Sequence, residues 1–253
     1  MLAVDIGNTH TVLGIFRDGS LSATWRITTR PNATSDEIEF RVRGLLNIGR
    51  LSSTRIGCAV LATVVPSLER AWREALSRIV TESVTVLSSE NCGFPIAYAN
   101  PAQIGPDRLA NALGVERLGL HDAIVIDLGT ATTFDVIHDG KYMGGVICPG
   151  IETGMLALSG RTARLPQISL DVPDHVVGRT TEEALASGLI LGHMGMMEYL
   201  VRRIQEEEKM PPQTRVLATG GWCNALRGRS PVFDEIHPDL TLEGLDWFSQ
   251  TRL

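Results

Sequence analysis

The chain has 253 residues, which is enough for two modest domains or for one large domain with a buried core. Its 29 acidic residues outnumber its 23 basic ones, and the net charge of −6 argues against broad, sequence-independent binding of nucleic acid. Because the N-terminus has no basic leader and the chain has no 18-residue apolar run, we expect a cytoplasmic protein that does not enter a membrane.

Apolar periodicity and turn residues predict alternating strands and helices in the first half of the chain. A strand-rich opening at 4–16 is followed by a strand at 21–28 and a helix at 35–47. A buried strand is predicted at 56–65, a helix opened by a proline at 66–80, and a further strand at 84–87.

The second half repeats this scheme, which favours an α/β protein with two related domains at 1–115 and 116–253. Strands are predicted at 123–127, 132–138, 143–148 and 216–218. Helices are predicted at 151–159, at 181–208 until a Pro-Pro pair, and at 241–249. The helix at 181–208 carries more apolar surface than one small domain obviously needs, although core packing is its default role.

The four cysteines are widely separated along the chain and show no zinc-type spacing. They predict buried free thiols in a reducing cytosol.

Two stretches half a chain apart resemble each other, VDIGNTHTVLG near the N-terminus and IDLGTATTFDV from residue 126. Aligning Asp5 with Asp127 also pairs Gly7 with Gly129. In each, a buried strand ends in a carboxylate and leads into a glycine turn with small hydroxyl or amide residues. The backbone N–H groups of such a turn can hold phosphate oxygens without any formal positive charge. The alternative is that both turns only connect hairpin strands.

The carboxylate at the end of each strand has a different predicted task. Polyphosphates bind together with cations, so Asp5 and Asp127 are candidates for holding a metal ion or its waters. The sequence contains neither a P-loop nor a Rossmann glycine motif, and these two designs are therefore excluded.

Asp107 lies in the stretch GPDR at 105–108, where Pro106 suits only the first turn of a helix. A helix N-terminus favours the ionised form of a carboxyl group. An ionised Asp107 beside an alcohol could accept its proton as the hydroxyl attacks a γ-phosphate. The alternative role for Asp107 is a helix cap paired with Arg108.

Three further side chains suit a small-molecule pocket. Arg108 offers a planar fork to a substrate carboxylate or to the migrating phosphoryl group. Tyr98 would supply an apolar wall with a polar tip, and Thr181 would donate from the start of a helix. Gly105 and Pro106 would shape the loop. The alternatives are a packed tyrosine and an N-cap threonine.

Together these motifs resemble the acetate and sugar kinase, Hsp70 and actin superfamily, which implies duplicated ribonuclease H-like (actin-like ATPase) domains with mixed sheets flanked by helices. Within it, the chain is similar to the bacterial type III pantothenate kinases over almost its whole length. The matching segments are DIGNTHTVLG at 5–14, VVPSL at 64–68, YANPAQIGPDRLAN at 98–111, IDLGTATTFDV at 126–136, GGVICPGI at 144–151, RTTEEALASG at 179–188, ATGG at 218–221 and HPDLTLEGL at 237–245.

The resemblance implies a set of site residues and ligands. Asp107 would be the catalytic base. A monovalent cation, K⁺ or NH₄⁺, would lie at Asp127, and Mg²⁺ would accompany ATP, with Asp5 holding it through water. ATP contacts are implied for Asp5, Ile6, Gly7, Asn8, Thr9, His10, Thr11, Val12 and Thr130. Pantothenate contacts are implied for Tyr98, Gly105, Pro106, Asp107, Arg108 and Thr181.

The activity that the resemblance implies is phosphorylation of pantothenate by ATP, the first step of coenzyme A synthesis, in a homodimer. The motifs leave two alternatives open. One is a kinase for a different small alcohol on the same fold. The other is a nucleotide-binding regulator without catalysis, against which an intact candidate base at Asp107 argues.

Overall fold

A computed structural model of the chain describes residues 1–51, 55–161, 168–169 and 171–253. The chain divides into two compact units. The first comprises Met1–Gly119 together with Leu240–Leu253, and the second comprises Leu120–Asp239.

The first unit is built on a five-stranded mixed sheet with strand order β3-β2-β1-β4-β5. Strands β1, β2 and β3 are antiparallel neighbours, whereas β4 runs parallel to β1 and β5 runs parallel to β4. The strands are β1 (Leu2–Ile6), β2 (His10–Arg17), β3 (Ser20–Thr28), β4 (Ala59–Thr63) and β5 (Val84–Val86). The helices are α1 (Ser35–Ile48), α2 (Pro66–Ser77), α3 (Pro106–Arg117) and, from the end of the chain, α7 (Leu240–Arg252), with a 3₁₀ turn at Pro101–Gln103.

The second unit repeats this sheet, with strand order β10-β9-β6-β7-β8. Again three strands form an antiparallel meander, while β9 and β10 extend the sheet in parallel. The strands are β6 (Ala123–Leu128), β7 (Ala131–His138), β8 (Lys141–Pro149), β9 (Arg215–Thr219) and β10 (Glu235–Ile236). The helices are α4 (Ile151–Arg161), α5 (Thr181–Ala186) and α6 (Gly192–Glu207), with a π-helical turn at Ser187–Leu191 between the last two.

The duplication extends to fine detail of the two meanders. Each meander has an Asp-Gly pair in the turn between its second and third strands, at 18–19 and at 139–140. Asp and Gly have positive φ angles in each pair. This left-handed backbone suits Gly and is tolerated by Asp, and it matches the right-handed twist of the strands that it joins. Each meander also has a register shift, at Ile15/Phe16 in β2 and at Val136/Ile137 in β7.

The predicted strands and helices all occur, with ends that differ by a few residues. The strand predicted at 56–65 is shorter, at Ala59–Thr63, and the helix predicted at 66–80 ends at Ser77. Strand β10 was not predicted, because two residues carry no readable alternation. All four cysteines are described and are free, as predicted. Cys92 and Cys223 are buried as expected, whereas Cys58 and Cys148 are only half-buried.

The last helix, α7, packs within the first unit. The predicted domain boundary at 115/116 had placed this helix in the second domain, so the prediction differs from the structure here. A Cβ atom added at Gly244 would overlap the carbonyl oxygen of Ala110, so α7 and α3 approach at backbone distance. The Trp247 indole N–H donates to the Glu116 carboxylate at 2.8 Å, and Arg252 forms an ion pair with the same carboxylate at 2.7 Å. These contacts join residues more than a hundred positions apart, which no local pattern reports.

The long helical segment Thr181–Glu207 is long and apolar enough, by length and composition alone, to cross a membrane. On that criterion the expectation that no such stretch exists was wrong. One side of the segment, with Ile190, Met194, Met197 and Val201, is buried in the apolar core of the second unit. Packing against the core accounts for the apolar character of this side, whereas only 28% of the most apolar 18-residue stretch is buried.

Candidate active site

The first glycine turn joins β1 to β2 at the end of β1 that carries Asp5. The Gly7 N–H donates to the His10 carbonyl at 3.0 Å and closes the turn. The Thr29 hydroxyl, just beyond β3, donates to the Gly7 carbonyl at 2.8 Å and lies 2.9 Å from the Thr11 hydroxyl. These hydrogen bonds hold the base of the turn, whereas Asn8 at its tip is exposed.

The second glycine turn joins β6 to β7 and is held by different neighbours. The Gly129 N–H donates to the Ala131 carbonyl at 3.0 Å. The Thr130 carbonyl accepts two hydrogen bonds, from the Gly150 N–H at 3.0 Å and from the Thr153 hydroxyl at 2.6 Å. A Cβ atom at Gly150 would overlap the Gly129 and Thr130 carbonyl oxygens, so only glycine permits this approach.

Asp127, one residue before the end of β6, lies beside the glycine turn that follows β9. Asp127 is in register with Thr219, and a Cβ atom at Gly220 would overlap the Asp127 carboxylate. Gly220 has a φ of +86°, which also favours glycine. Burial raises the pKa of the nearby Cys223 thiol, and the negative charge of Asp127 adds to this shift. The carboxylate is therefore held at a close-packed, negatively charged position.

Asp107 occupies the first turn of α3, as predicted. Gly105 is the residue that precedes the helix and Pro106 begins it. One carboxylate oxygen of Asp107 accepts the Arg108 backbone N–H at 2.8 Å. A Cβ atom at Gly105 would overlap this oxygen, so the glycine is required for the position of the carboxylate.

The protonation behaviour of Asp107 differs from the expectation that the helix N-terminus favours the ionised form. Burial raises the pKa of the Asp107 carboxyl, because desolvation outweighs both the Arg108 N–H bond and the Arg108 positive charge. A carboxylate with a raised pKa is a stronger base. The shift therefore suits Asp107 to accepting a proton.

Asp107 and the first glycine turn lie at the same edge of the first unit's sheet. The Val64 N–H donates to the Ile6 carbonyl at 3.1 Å, which ties the end of β4 to the end of β1. A Cβ atom at Gly105 would lie 3.6 Å from a Val64 methyl group, in ordinary contact. Val64 thus connects the start of the GPDR helix to the strand that carries Asp5.

The remaining predicted substrate residues differ in exposure. Arg108 is buried, with 9% of its surface exposed, whereas Tyr98 is exposed on the segment that leads to α3. Thr181 is exposed at the first residue of α5. The alternative role for Thr181, an N-cap, was wrong, because Thr180 makes the capping box with Glu183. The Thr181 hydroxyl lies outside that box.

Comparison with known proteins identifies the family. The family model described as type III pantothenate kinase matches residues 1–203. A type III pantothenate kinase of Desulfosudis oleivorans is 41% identical over 97% of this chain and 96% of its own length. Those of Thermus thermophilus and Myxococcus xanthus are 40% and 36% identical, each over 97% of this chain and 96% of their own length.

The chain belongs to the type III pantothenate kinase family. As a member of it, the chain is a kinase. Its place in the family confirms the resemblance on which the sequence interpretation relied.

Solved structures confirm the predicted fold class of this type III pantothenate kinase family member. A Campylobacter jejuni protein described as a Baf family transcriptional activator superposes with a TM-score of 0.62 at 19% identity, covering 99% of this chain and 98% of its own. The ethanolamine utilization protein EutJ of Carboxydothermus hydrogenoformans gives 0.58 at 18% identity, covering 98% and 89%. At these identities the likeness shows the actin-like ATPase fold and nothing about activity.

Cation sites in this family member must be built from few side chains. Among residues 1–51, 55–161, 168–169 and 171–253, no group of three or more His, Cys, Asp or Glu side chains is placed to hold a metal ion. A single carboxylate with backbone oxygens and water suits K⁺, and it also suits Mg²⁺, which keeps most of its waters. Asp127 and Asp5, each near the end of a strand that leads into a glycine turn, fit that description.

Several supporting residues were not singled out from the sequence. Thr29 and Thr153 each hold a turn carbonyl, and Gly150 approaches the second turn at backbone distance. Gly150 and Gly220 fall in the segments 144–151 and 218–221, which the sequence analysis gave only as matches to the family. The isolated threonines carry no local signal, because their partners lie 22 and 23 residues away.

Proposed function

We propose that this chain transfers the γ-phosphoryl group of ATP to the primary hydroxyl of pantothenate, giving 4′-phosphopantothenate and ADP, the first step of coenzyme A biosynthesis. The observation that carries the proposal is the 41% identity to a type III pantothenate kinase over 97% of the chain. The geometry of Asp107 supports it independently, because a kinase needs a base and a non-catalytic regulator does not.

Asp107 acts as the general base. Its carboxylate accepts the hydroxyl proton as the substrate oxygen forms a bond to the γ-phosphorus and the bond to the ADP oxygen breaks. The Arg108 N–H fixes one carboxylate oxygen, and the other is the proton acceptor. Positioning and charge stabilisation supply most of the catalysis, since phosphoryl transfer requires little covalent chemistry from the protein.

ATP contacts are assigned to each glycine turn by itself: to residues 5–12 in the first and to Thr130 in the second. In both turns a threonine hydroxyl holds a backbone carbonyl in place. The backbone N–H groups of such turns provide the positive ends of peptide dipoles to phosphate oxygens. This arrangement lets a chain with a net charge of −6 bind a polyanion.

Cations neutralise the phosphate charge when they are bound. Asp127 would hold a monovalent cation, K⁺ or NH₄⁺, and Asp5 would hold the waters of the Mg²⁺ that accompanies ATP. Each offers one carboxylate near the end of a strand that leads into a glycine turn, and carboxylate oxygen is a ligand that Mg²⁺ accepts.

Pantothenate is recognised by Tyr98, Gly105, Pro106, Arg108 and Thr181. The Arg108 guanidinium pairs with the substrate carboxylate, for which a planar fork is well suited. The protein acts as a cytoplasmic homodimer.

The experiment is ADP release by the purified protein in ATP, Mg²⁺ and K⁺, with and without pantothenate. We expect release that depends on pantothenate and a product with the mass of phosphopantothenate. Release with a different alcohol but not with pantothenate would support a kinase for another substrate. ATP binding with no acceptor-dependent release would support the regulator instead.

A further inference from the structure

The helical segment Thr181–Glu207 is interrupted where it passes the second glycine turn's hairpin. Helix α5 ends at Ala186, a π-helical turn occupies Ser187–Leu191, and α6 resumes at Gly192. The Ser187 hydroxyl anchors the interruption by donating to the Val176 carbonyl at 2.5 Å. A π turn rotates the residues that follow it and is frequent at functional sites.

His193, the second residue after this interruption, makes a buried hydrogen bond to the hairpin. Its Nε2 atom lies 2.9 Å from the Thr132 hydroxyl. Only 9% of His193 and 1% of Thr132 are exposed. Burial lowers the pKa of His193, so the imidazole is neutral near pH 7 and the bond joins two uncharged groups. No proton change is therefore involved in holding the pair.

Thr132 sits where the second glycine turn meets its strands. It pairs with Leu128 across β6 and β7, and only residues 129–131 lie between them. The turn beyond this pair is held at the Thr130 carbonyl by Gly150 and Thr153. His193 thus adds a buried polar contact between the segment beginning at Thr181 and the base of the turn, beside the apolar contacts of the core.

We propose that His193 is a positioning residue for ATP binding, which rests on the proposed function of the second turn. Its bond to Thr132 fixes the base of the turn, so that the Gly129–Thr130 backbone keeps the geometry that receives phosphate. His193 contacts neither substrate, and it acts through Thr132. The same bond connects this turn to the helix whose first residue, Thr181, is assigned to pantothenate.

Stability alone does not account for this polar pair. Replacing both partners of a buried hydrogen bond by apolar groups of the same shape is nearly neutral, whereas removing one partner strands the other. Ile190, Met194 and Phe134, which are near neighbours of His193 and Thr132 along the chain, belong to the apolar core of the second unit, so an apolar pair would suit this part of the unit. A directional bond adds a fixed orientation, which is useful at the base of a ligand-binding turn.

The test uses variants at both ends of the bond. Thr132→Val and His193→Leu remove it, Thr132→Ser keeps the hydroxyl, and Thr132→Val combined with His193→Leu removes both polar groups. His138→Leu is the matched control, because His138 bonds Asp122 at 2.6 Å at the opposite end of the same hairpin. ATP affinity is measured by calorimetry without pantothenate, in Mg²⁺ and K⁺, beside the KM of each substrate and the Tm.

We expect each single removal to weaken ATP binding by about fivefold, the size of one hydrogen bond of about 1 kcal/mol. The KM for pantothenate should change by less than about twofold, and the double variant should be no weaker than either single one, as expected for coupled residues. Thr132→Ser should recover most of the affinity. His138→Leu should lower the Tm and leave ATP affinity unchanged.

Unchanged ATP affinity in folded Thr132→Val and His193→Leu, with only a lower Tm, would overturn the proposal and leave the pair a structural one. Losses that add in the double variant would also overturn it. Failure of the proposed function is visible separately, as absence of pantothenate-dependent ADP release in the parent, while the calorimetry still decides the role of His193.

Discussion

The substitution Asp107→Asn separates the chemical role of the carboxyl group from its structural one. Asparagine keeps an oxygen that can accept the Arg108 N–H at the start of α3, a bond of 2.8 Å in the parent. It also has nearly the same shape, which matters because Gly105 leaves no spare room at this oxygen. What it loses is a basic oxygen that can take a proton.

Loss of a general base reduces a rate by about 10²- to 10⁴-fold, or about 3 to 5 kcal/mol in activation free energy. We therefore expect kcat of Asp107→Asn to fall by about 10²-fold or more, with ATP affinity nearly unchanged. The parent should lose kcat/KM as the pH falls through the raised pKa of Asp107, above the ordinary carboxyl value of about 4. The residual activity of the variant should lack this limb.

The raised pKa of Asp107 also predicts that the Asp107→Asn variant is more stable than the parent. A carboxyl whose pKa is higher in the folded state than in the unfolded state favours folding when protonated, and this contribution is lost as the pH rises through the folded value. The ionised Asp107 therefore lowers the free energy of unfolding at neutral pH. Asparagine carries no charge and removes this cost. We expect the variant's Tm to exceed the parent's at pH 8 and the difference to shrink towards about pH 4.

Steady-state assays, calorimetry with ATP and thermal denaturation across this pH range test the reasoning together. Near-normal kcat in the variant would show that Asp107 only caps α3. A lower Tm together with lost ATP binding would show that the carboxylate supports the fold, and the burial argument would then have the wrong sign.

Three further substitutions and one control test the cation position and the packing of α7. Asp127→Asn should weaken K⁺ activation by about tenfold or more. Exchanging K⁺ for Na⁺ should therefore slow the parent but not the variant. Equal slowing of both would show that Asp127 does not hold the ion. Gly220→Ala, at a φ of +86° and against Asp127, should cost about 2 kcal/mol in unfolding free energy and also reduce K⁺ activation, measured by denaturant titration and assay. Gly244→Ala, whose new methyl group would meet the Ala110 carbonyl, should lower the free energy of unfolding by about 1–3 kcal/mol. The control Gly44→Ala, on α1 with open space around it, should stabilise slightly. Equal Tm values for the two variants would contradict the close approach of α7 and α3.

Much of the fold follows from local chemistry in the sequence. Pro106 placed the start of α3, because a proline has no N–H to lose in a first helical turn. The Asp-Gly pairs at 18–19 and 139–140 are a local signal for the turns at which they lie, since both have the left-handed backbone that this dipeptide tolerates. The capping box of Thr180 and Glu183 also has a local signature, but the sequence analysis considered Thr181 as the N-cap instead.

Other features depend on distant parts of the chain and left no local pattern. The place of α7 rests on Gly244 and Trp247 meeting residues of α3. The pKa of Asp107 depends on how much water the fold removes from it, and sequence position gave only the weaker helix-terminus effect. The hydrogen bond between His193 and Thr132 joins residues 61 positions apart through an irregular helix.

The two glycine turns repeat the residues of the turn itself but not the residues that support it. Both keep a strand, a carboxylate, a glycine and small polar residues, and in both a threonine hydroxyl ties down a turn carbonyl. The threonines are not equivalent, however, because Thr29 follows β3 whereas Thr153 lies in the first turn of α4. A carbonyl pointing at a phosphate would repel it, so each turn needs such a tie, but any neighbouring element can supply it. Under the proposed function the repeated residues are those assigned to the ligand, and the supports differ because each unit packs its turn against different neighbours.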